Sequence, residues 1–495
     1  MTLRPLTPDQ HRAAEHRVAD EDEAPPRLWI LGTLVALLSA GRLVLETITG
    51  SRLLTDHPSG TWAALSDDLL HGVLYRPVDS ALGWGGTRYP PLHIVLRAVV
   101  ARTGLGLEVG GMVLDATALL ALVVLVTRLL RALGVEASLA RGVALLSLAV
   151  VPVQTLLGLG KADLVATALS LAGVLLSWRG RPVRAGALFA LAVLTKWTVV
   201  FGLVASVHDA LARGRRRAAL MLIAVFGAIV AIGVGLASVA SQGRLLAQLR
   251  ACASGGGTLG ERLVQGPLDF LVHSDPADLA LVLLAAAALA VARPAVLLPG
   301  RLLGWTLAGT IAVFLSPGIA ENHLLDLDLA AWIALGVSIG SPALPRRFGV
   351  LVLTSLAVLA LVRIGPEVVE SARNVRLPQL RPDLGTEAEG PLLAENPWLP
   401  LMLGERPVLL DAFTFHILAS AQPRLGAQLV EDLNRKRFRA VVLRRSPDDH
   451  NGRAWYRDVH FGPGFTEALE ESYRRVASHP VEPTAIWSTE VWRRR

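Results

Sequence analysis

Long apolar runs separated by short arginine clusters fill the first 365 residues of the sequence, and this pattern constrains the fold most strongly. A membrane-spanning helix needs about 20 mostly apolar residues. Nine segments meet that requirement: 28–48, 109–131, 138–158, 161–178, 218–240, 277–293, 301–317, 324–341 and 347–364. The sequence therefore predicts a mainly α-helical fold, a polytopic transmembrane bundle of about 9 to 11 spans.

Composition and charge exclude several other classes of protein. Hydrophobic residues make up 52% of the chain and charged residues only 18%, which excludes an ordinary soluble enzyme. The net charge is +7, but the arginines stand between apolar runs, where they indicate membrane topology rather than a nucleic-acid surface. The single cysteine, Cys252, excludes a disulfide framework.

The arginine clusters also predict which segments face the cytoplasm, because basic residues flank spans on that side. Residues 1–27 are predicted to be a cytoplasmic tail without a cleavable signal, followed by a transmembrane domain over 28–365. The apolar segment 185–207 has basic clusters at both ends, so a single crossing would leave one cluster outside. We therefore expect two short helices that enter and return, broken near Thr195-Lys196-Trp197, with a cavity at the break.

The chain loses its long apolar runs after residue 365. Short apolar runs predict strands at 407–411 and 439–443, with a helix at 424–437. Residues 366–495 are therefore predicted to form a small extracytoplasmic α/β domain. No nucleophile triad, phosphate loop or metal-ligand spacing stands out there, so we expect an accessory role such as acceptor recognition.

The first outer loop, 49–108, is too long for a simple connector and is built of amphipathic pieces, which is typical of functional loops. Residues 62–72 are predicted to form a helix that carries Asp67 and Asp68 beside an apolar face. The motifs after this helix are Tyr75-Arg76-Pro77 and Gly85-Gly86-Thr87-Arg88-Tyr89-Pro90-Pro91-Leu92.

These motifs resemble those of the GT-C membrane glycosyltransferases, relatives of the protein mannosyltransferases and the aminoarabinose transferase. In that superfamily an acidic residue of the first outer loop precedes an aromatic-proline element that leads into the second span. Two further motifs are similar: Gly160-Lys161-Ala162-Asp163-Leu164 looks like the acid at the outer start of the fourth span, and Leu194-Thr195-Lys196 looks like the lysine-bearing break. The resemblance covers most of residues 28–364. It implies sugar transfer from a polyprenyl-phosphate donor to an acceptor on the outer face of a bacterial cytoplasmic membrane.

An acceptor hydroxyl must lose a proton as it attacks the anomeric carbon, so a carboxylate of the loop is expected to act as general base. Asp68 is the first candidate and Asp67 the second, with a solvated helix face as the alternative for both. In many members of the superfamily the acid comes just before the aromatic residue that opens the loop helix. Here Ser59-Gly60-Thr61 precede Trp62, and Asp56 lies further upstream. Asp56 is therefore a third candidate for the base.

The leaving group implied by the resemblance is a lipid phosphate, whose developing charge calls for cations. The sequence has only three lysines among 48 basic residues, and two of them, Lys161 and Lys196, stand at predicted outer helix ends. We assign Lys196 and Arg88 as the donor phosphate contacts, with Lys161 behind them. For Lys196 the alternative is a side chain that merely extends to the membrane surface.

Four more residues are predicted to line the pocket for the donor head group, namely Tyr89, Asp163, His323 and Glu321. The alternatives are that Tyr89 only fixes the entry of the next span and that Asp163 only places a charge at a helix N-terminus. A histidine near carboxylates also raises the question of a metal. We predict no metal site and no cofactor besides the lipid-linked donor, without excluding a divalent ion.

Two groups of residues inside or beside the spans have structural interpretations. Asp115 lies in an apolar run, where it is expected to face the bundle interior and pair with an arginine. Trp62, Trp84 and Trp305 are interpreted chiefly as membrane-interface residues.

Two other functions fit the sequence. A transporter or flippase of lipid-linked sugars also has broken helices and charges at membrane depth, but it needs no long loop that bears carboxylates. A non-catalytic envelope-assembly subunit would keep the fold, and its carboxylates would be dispensable. The expected partners are membrane lipid, the lipid-linked donor and a lipid, polysaccharide or protein acceptor, with no nucleic acid.

Overall fold

The computed structural model describes residues 26–49, 56–254, 259–292, 297–316, 318–373, 377–385, 388–448, 450–480 and 488–495. The predicted cytoplasmic tail, 1–27, lies almost wholly outside the described residues. The helices up to residue 373 are α1 Pro26–Thr49, α2 His57–Leu70, α3 Pro91–Val100, α4 Gly106–Ala132, α5 Ala137–Leu146, α6 Val151–Leu156, α7 Ala162–Trp178, α8 Pro182–Thr195, α9 Phe201–Ala212, α10 Arg216–Ala240, α11 Arg244–Ser254, α12 Leu259–His273, α13 Pro276–Ala292, α14 Leu297–Phe314, α15 Leu325–Ile339 and α16 Arg346–Arg373.

Several of these helices have the length and composition of membrane spans. Within the described residues there are four such segments, and one strongly bent pair would make a fifth: Ile30–Ile48, Pro91–Ala132, Arg216–Ala240, Glu321–Ile339, and Gly260–His273 with Pro276–Ala292, bent by 98°. Only 11% of the apolar window of α10 is buried inside the protein. Its leucines and isoleucines therefore suit contact with lipid chains. The prediction of a mainly helical membrane protein is confirmed, while the nine individual crossings stay a prediction.

The predicted break in segment 185–207 is confirmed. Helix α8 ends at Thr195, Lys196 is extended with φ −152° and ψ 118°, and α9 begins at Phe201. The run 138–158, predicted as one span, is also interrupted, because α5 gives way to a short 3-10 turn and an extended Val150 before α6. Pro152 explains this second interruption, since in a continuous helix it could not donate a backbone hydrogen bond to Leu148 and its ring would clash with that carbonyl.

The C-terminal region combines one mixed sheet with short helices. Its elements are α17 Leu377–Leu384, β3 Leu392–Ala394, α18 Trp398–Met402, α19 Ala412–Ala421, α20 Pro423–Asn434, β4 Ala440–Leu443, α21 His450–Asp458, α22 Phe465–Ser472, β5 Tyr473–Pro480 and β6 Ser488–Arg494. The sheet order is β3-β4-β6-β5, with β3 parallel to β4 and the other pairs antiparallel. The predicted helix 424–437 and strand 439–443 are thus confirmed. The predicted strand 407–411 is wrong, because in the described structure it forms a single isolated bridge between Leu409 and Trp84.

That bridge joins the first loop to the C-terminal region. In the described structure the first loop comprises residues 56–90. Within it, the two-residue strands β1 Asp79–Ser80 and β2 Gly83–Trp84 form a hairpin. The Trp84 side chain is buried between Phe415 and Phe438, at ring-centroid distances of 5.6 and 6.2 Å. The interpretation of Trp84 as a membrane-interface residue is therefore wrong. The loop and the C-terminal region share one hydrophobic core, and Arg76 of the loop donates to the Pro407 carbonyl.

Candidate active site

A tight turn before α7 places Lys161 and Asp163 at the start of that helix. The Gly160 N–H donates to Asp115 Oδ2 at 2.8 Å, and the Gly160 carbonyl accepts from Arg97 Nη1 at 2.9 Å. The side chains of Asp115 and Arg97 are both buried. Asp115 therefore faces the bundle interior as expected, and together with Arg97 it fixes the peptide that precedes Lys161.

Gly160 is the residue on which this turn depends. Its φ is +62°, and a Cβ at this position would lie 2.9 Å from the Gly111 Cα and 3.1 Å from Arg97 Nη1. We expect Gly160→Ala to destabilise the protein by about 2 kcal/mol or more, because a left-handed backbone costs roughly 1–2 kcal/mol and the backbone of Gly111 cannot yield. Thermal unfolding in detergent measures this effect.

The matched control is Gly180→Ala. Gly180 also has a positive φ, +72°, but a Cβ added there would have no other atom within 4 Å. The variant should show only the left-handed backbone penalty. Equal destabilisation by both substitutions would contradict the proposed close packing at Gly160.

An ion pair between Lys196 and Asp163 closes one side of a small polar cavity. Lys196 Nζ donates to Asp163 Oδ1, and the Asn322 side-chain amide donates to the same oxygen at 2.7 Å. His323 and Asp326 also line this narrow cavity. Glu321 precedes Asn322 in a 3-10 turn and is not among the residues that line the cavity. The break between α8 and α9 therefore lines a cavity, as predicted, together with two of the four predicted pocket residues.

Arg88 and Tyr89 reach the same region from the end of the first loop. The Arg88 carbonyl accepts from Trp197 Nε1 at 2.8 Å, which ties the loop to the α8–α9 break. The Tyr89 ring stacks on Trp62 with centroids 4.2 Å apart. Trp62 is thus buried, and its interpretation as an interface residue is wrong.

The electrostatic surroundings of Tyr89 show how the site converges. Burial raises the pKa of its hydroxyl most, and Asp411 raises it further, while Arg88 lowers it. Asp56 and Asp163 both add to the increase. Tyr89 therefore lies within electrostatic reach of carboxylates at the starts of three different helices.

Asp56 begins helix α2 and binds the second lysine. Its Oδ2 caps the helix by accepting from the Ser59 N–H at 2.8 Å, and its Oδ1 accepts from Lys161 Nζ at 2.7 Å. The side chains of Asp56 and Lys161 are 23% and 12% exposed, so the pair is partly accessible. Of the three candidate bases, Asp56 is the one that binds a predicted phosphate contact, Lys161.

Asp68 occupies a different environment near the other end of α2. It lies twelve residues beyond Asp56, which corresponds to about 18 Å along a helix. Arg76 binds its two oxygens at 2.9 and 2.7 Å, and Arg406 of the C-terminal region binds one of them at 2.6 Å. Asp68 and Arg76 are fully buried. Its contacts are those of a structural ion pair. Its role as the base stays a prediction that mutation can test.

Asp67 lies on the neighbouring face of α2, with its Oδ2 3.6 Å from His71 Nδ1. Burial raises the pKa of this carboxyl, and His71 opposes the increase. Like Asp68, Asp67 lies more than ten residues along the chain from Asp56, which binds Lys161 at the start of the helix. The structure therefore does not bring the first two candidate bases to the predicted phosphate contacts.

The converging site supplies several cations. The charges of Lys161, Lys196 and Arg88 all act on His323, and the two lysines pair with Asp56 and Asp163. Lysine binds phosphate oxygens as a point charge, and arginine binds them by bidentate contact. Within the described residues, no group of three or more His, Cys, Asp or Glu side chains is arranged to hold a metal ion.

One element of the site was not predicted from the sequence. Helix α2 begins at His57, upstream of the predicted start at residue 62, although Asp56 followed by a proline two residues later is a helix-start signal. Asp56 therefore caps this helix, whereas Asp67 and Asp68 lie inside it.

The fold is similar to that of solved membrane glycosyltransferases. The oligosaccharyltransferase of Archaeoglobus fulgidus, in complex with Zn and sulfate, matches with a TM-score of 0.55 and 13% identity over 93% of this chain and 72% of that chain. The same enzyme, in complex with an inhibitory peptide and a dolichol-phosphate, matches with a TM-score of 0.52 and 14% identity. This match covers 93% of this chain and 74% of that chain. ArnT from Cupriavidus metallidurans, bound to undecaprenyl phosphate, matches with a TM-score of 0.52 and 15% identity. This match covers 93% of this chain and 98% of that chain. At such identities the likeness shows a shared fold.

The sequence itself matches a model of Glycosyltransferase family 87 over residues 87–317. That region contains Arg88, Lys161, Asp163 and Lys196. No individually curated protein matches the chain significantly. The shared fold and the family match bear out the resemblance to the GT-C membrane glycosyltransferases. The match to family 87 covers less than half of the chain, and over those residues the sequence is similar to that family.

Proposed function

We propose that the protein transfers a sugar from a polyprenyl-phosphate donor to an acceptor hydroxyl at the outer face of the bacterial cytoplasmic membrane. The observation that carries this proposal is the convergence of two lysine–carboxylate pairs, Lys161–Asp56 and Lys196–Asp163. Both lysines and Arg88 lie within electrostatic reach of His323. Support comes also from similar folds that were solved with undecaprenyl phosphate and with a dolichol-phosphate. In the proposed orientation the N-terminus is cytoplasmic and the C-terminal region extracytoplasmic.

The cations bind the donor phosphate. Lys196 lies at the extended break between α8 and α9, where its Nζ can exchange Asp163 for a phosphate oxygen without a helix having to move. Arg88 approaches from the loop, and Lys161 approaches from the start of α7. Such cations stabilise the negative charge that develops on the phosphate as the bond to the sugar breaks.

Asp56 is the general base in this proposal, in place of Asp68. As the acceptor oxygen forms its bond to the anomeric carbon, its proton passes to a carboxylate oxygen of Asp56, and the bond from that carbon to the phosphate oxygen breaks. Asp56 is held by the backbone of its own helix and by Lys161, so it is positioned before the substrates bind. Tyr89 and His323 line the space around the donor head group.

Sealed spheroplasts given radiolabelled undecaprenyl-phosphate sugars from outside would test the function. We expect one of these donors to lose its labelled sugar to a cell-surface acceptor only when the protein is present. Movement of the intact labelled donor across the membrane without loss of sugar would support a flippase instead. No protein-dependent change in any donor would contradict both functions.

Lys196→Gln is expected to weaken binding of undecaprenyl phosphate by about 10- to 100-fold, because a charge-assisted hydrogen bond contributes roughly 1.5–3 kcal/mol. Lys196→Arg should retain much of the affinity, since it keeps the charge. Equilibrium binding of the radiolabelled lipid to purified protein measures both values.

The chain offers a matched control in its third lysine. Lys436 lies in the C-terminal region, where its exposed Nζ donates to the Arg495 carbonyl at 3.1 Å. Lys436→Gln should leave lipid binding unchanged. Equal affinities for the Lys196→Gln and Lys436→Gln variants would contradict the phosphate role of Lys196.

A further inference from the structure

A basic cavity lies at the end of the helix bundle opposite to the candidate active site. Its lining residues belong to the end of α7, the start of α8, the end of α9 and the start of α10. Helix α7 starts beside Lys161 and has 17 residues, so its two ends are about 25 Å apart. The cavity has a volume of about 600 Å³, a size typical of ligand sites.

Three consecutive arginines line this cavity, namely Arg215, Arg216 and Arg217. Their side chains are exposed, and none of them forms a side-chain hydrogen bond or ion pair within the described residues. The carboxylate in the lining, Asp209, already has two partners: its Oδ2 lies 2.8 Å from Arg213 Nε, and its Oδ1 binds Arg301. The three arginines are therefore not neutralised by Asp209.

Trp178 indicates where this cavity lies relative to the membrane. It directly follows Ser177, which lines the cavity, and it ends helix α7. Its Nε1 donates to the Ala132 carbonyl at 3.1 Å, and the Arg213 guanidinium lies 4.1 Å from the centre of its ring. Tryptophan at the end of an apolar helix is typical of the level of the lipid head groups. The arginines of the cavity are thus expected at the level of the phospholipid phosphates.

An exposed apolar surface continues from the cavity along α10. Met221 lines the cavity, and its neighbours Leu220 and Ile223 are 67% and 50% exposed. Ile232 and Leu236 extend the exposed surface further along the helix. A ligand that joins an anionic group to long apolar chains can contact both the arginines and this surface, whereas a soluble phosphate can contact only the arginines.

We propose that the cavity binds the head group of an anionic phospholipid, with its phosphate against Arg215, Arg216 and Arg217 and its acyl chains along α10. Arginine suits this role because its guanidinium binds phosphate oxygens by bidentate contact. The lipid belongs to the leaflet on the side opposite to the candidate active site. The site goes beyond the proposed function and does not depend on it.

The test measures binding of dioleoyl phosphatidylglycerol with a fluorescent label on one chain to the purified full-length protein in dodecyl maltoside. Wild-type protein is expected to bind it at least about tenfold more tightly than phosphatidylcholine with the same chains and label. The triple variant Arg215→Gln, Arg216→Gln, Arg217→Gln should weaken this binding about 10- to 100-fold, since each arginine near a membrane surface contributes roughly fivefold. Equal binding of the two lipids by wild-type protein would overturn the proposal.

The matched control removes three charges from the same end of the bundle, in the triple variant Arg128→Gln, Arg131→Gln, Arg141→Gln. These arginines are also exposed, but they do not line the cavity. Arg128 and Arg131 lie in the last turns of α4, whose final residue, Ala132, accepts from Trp178. Binding of phosphatidylglycerol should stay within about twofold of wild type. An equal loss in both triple variants would show a general attraction to surface charge and would overturn the cavity site.

A charge-conserving variant separates a folding defect from loss of the site. Arg215→Lys, Arg216→Lys, Arg217→Lys should retain affinity within about a few fold, because the charges remain. An equal loss of affinity in the lysine and glutamine variants would contradict the role of positive charge in binding the lipid.

Two further measurements separate this site from other phosphate sites. Soluble glycerol 3-phosphate should not displace the labelled lipid at concentrations at which unlabelled phosphatidylglycerol does, and equal displacement by both would show a site for free phosphate instead. Lys196→Gln should leave binding of phosphatidylglycerol unchanged, because Lys196 lies at the other end of α8 from the cavity. A loss of binding in Lys196→Gln would place the lipid in the candidate active site and would overturn the proposal.

Discussion

Asp56→Asn is expected to lower the rate of sugar transfer by about 10²- to 10⁴-fold, the usual contribution of a general base. Asparagine retains the shape of the side chain and is itself a good helix cap, so α2 should still begin at His57. The hydrogen bond to Lys161 can persist through the amide oxygen, although the ionic part is lost. The loss should therefore appear in kcat, with affinity for undecaprenyl phosphate changed by only a few fold.

The informative comparison for Asp56 is Asp67→Asn. Asp67 is an acid of the same helix, partly exposed and close to His71, but far from Lys161. Its substitution should leave kcat within about a few fold of wild type, since it contacts no proposed substrate group. A large loss of kcat in Asp67→Asn, with full activity in Asp56→Asn, would contradict the assignment of Asp56 and indicate Asp67, the second candidate from the sequence, as the base.

The elements that sequence alone predicted are those with a strong local pattern. The break at Lys196 followed from basic clusters on both sides of one apolar segment, and α20 and β4 followed from their periodicities. The lysines were assigned from their rarity and position and Arg88 from its motif. Their charges all act on His323 in the structure, and their role as phosphate contacts stays a prediction. For the break, α20 and β4, the signal lies in one local stretch of chain.

The features that were missed depend on residues far apart in the sequence. Trp84 was interpreted from its place in a membrane loop, but its partners Phe415 and Phe438 lie more than 300 residues away. The bridge to Leu409 likewise replaced a predicted strand. No local pattern indicates such contacts, because the chain must first fold before the loop can pack on the C-terminal region.

The environment of Asp68 also depends on a residue far away in the sequence. Asp68 was predicted to be catalytic because it is a carboxylate in a functional loop. Its partner Arg406 lies 338 positions further along the chain. Its nearer partner Arg76 is buried as well and donates to the Pro407 carbonyl at 2.6 Å. The acid thus neutralises a cation that joins the loop to the C-terminal region.

Asp68→Asn is therefore expected to destabilise the protein by about 3–5 kcal/mol, because removing one partner of a buried ion pair leaves the other charge uncompensated. Arg76 has no exposed surface on which to regain its hydration. The effect should appear as a lower midpoint of thermal or denaturant unfolding, and as reduced activity in proportion to the fraction that is unfolded.

The double variant Asp68→Asn, Arg76→Gln distinguishes a structural role from catalysis. It removes both buried charges and keeps polar groups of similar size, so it should regain much of the stability lost in the single variant. If Asp68 serves only the fold, sugar transfer should return together with stability. If Asp68 is the base, the double variant should be stable and still inactive, because no substitution at position 76 can replace a proton acceptor at position 68.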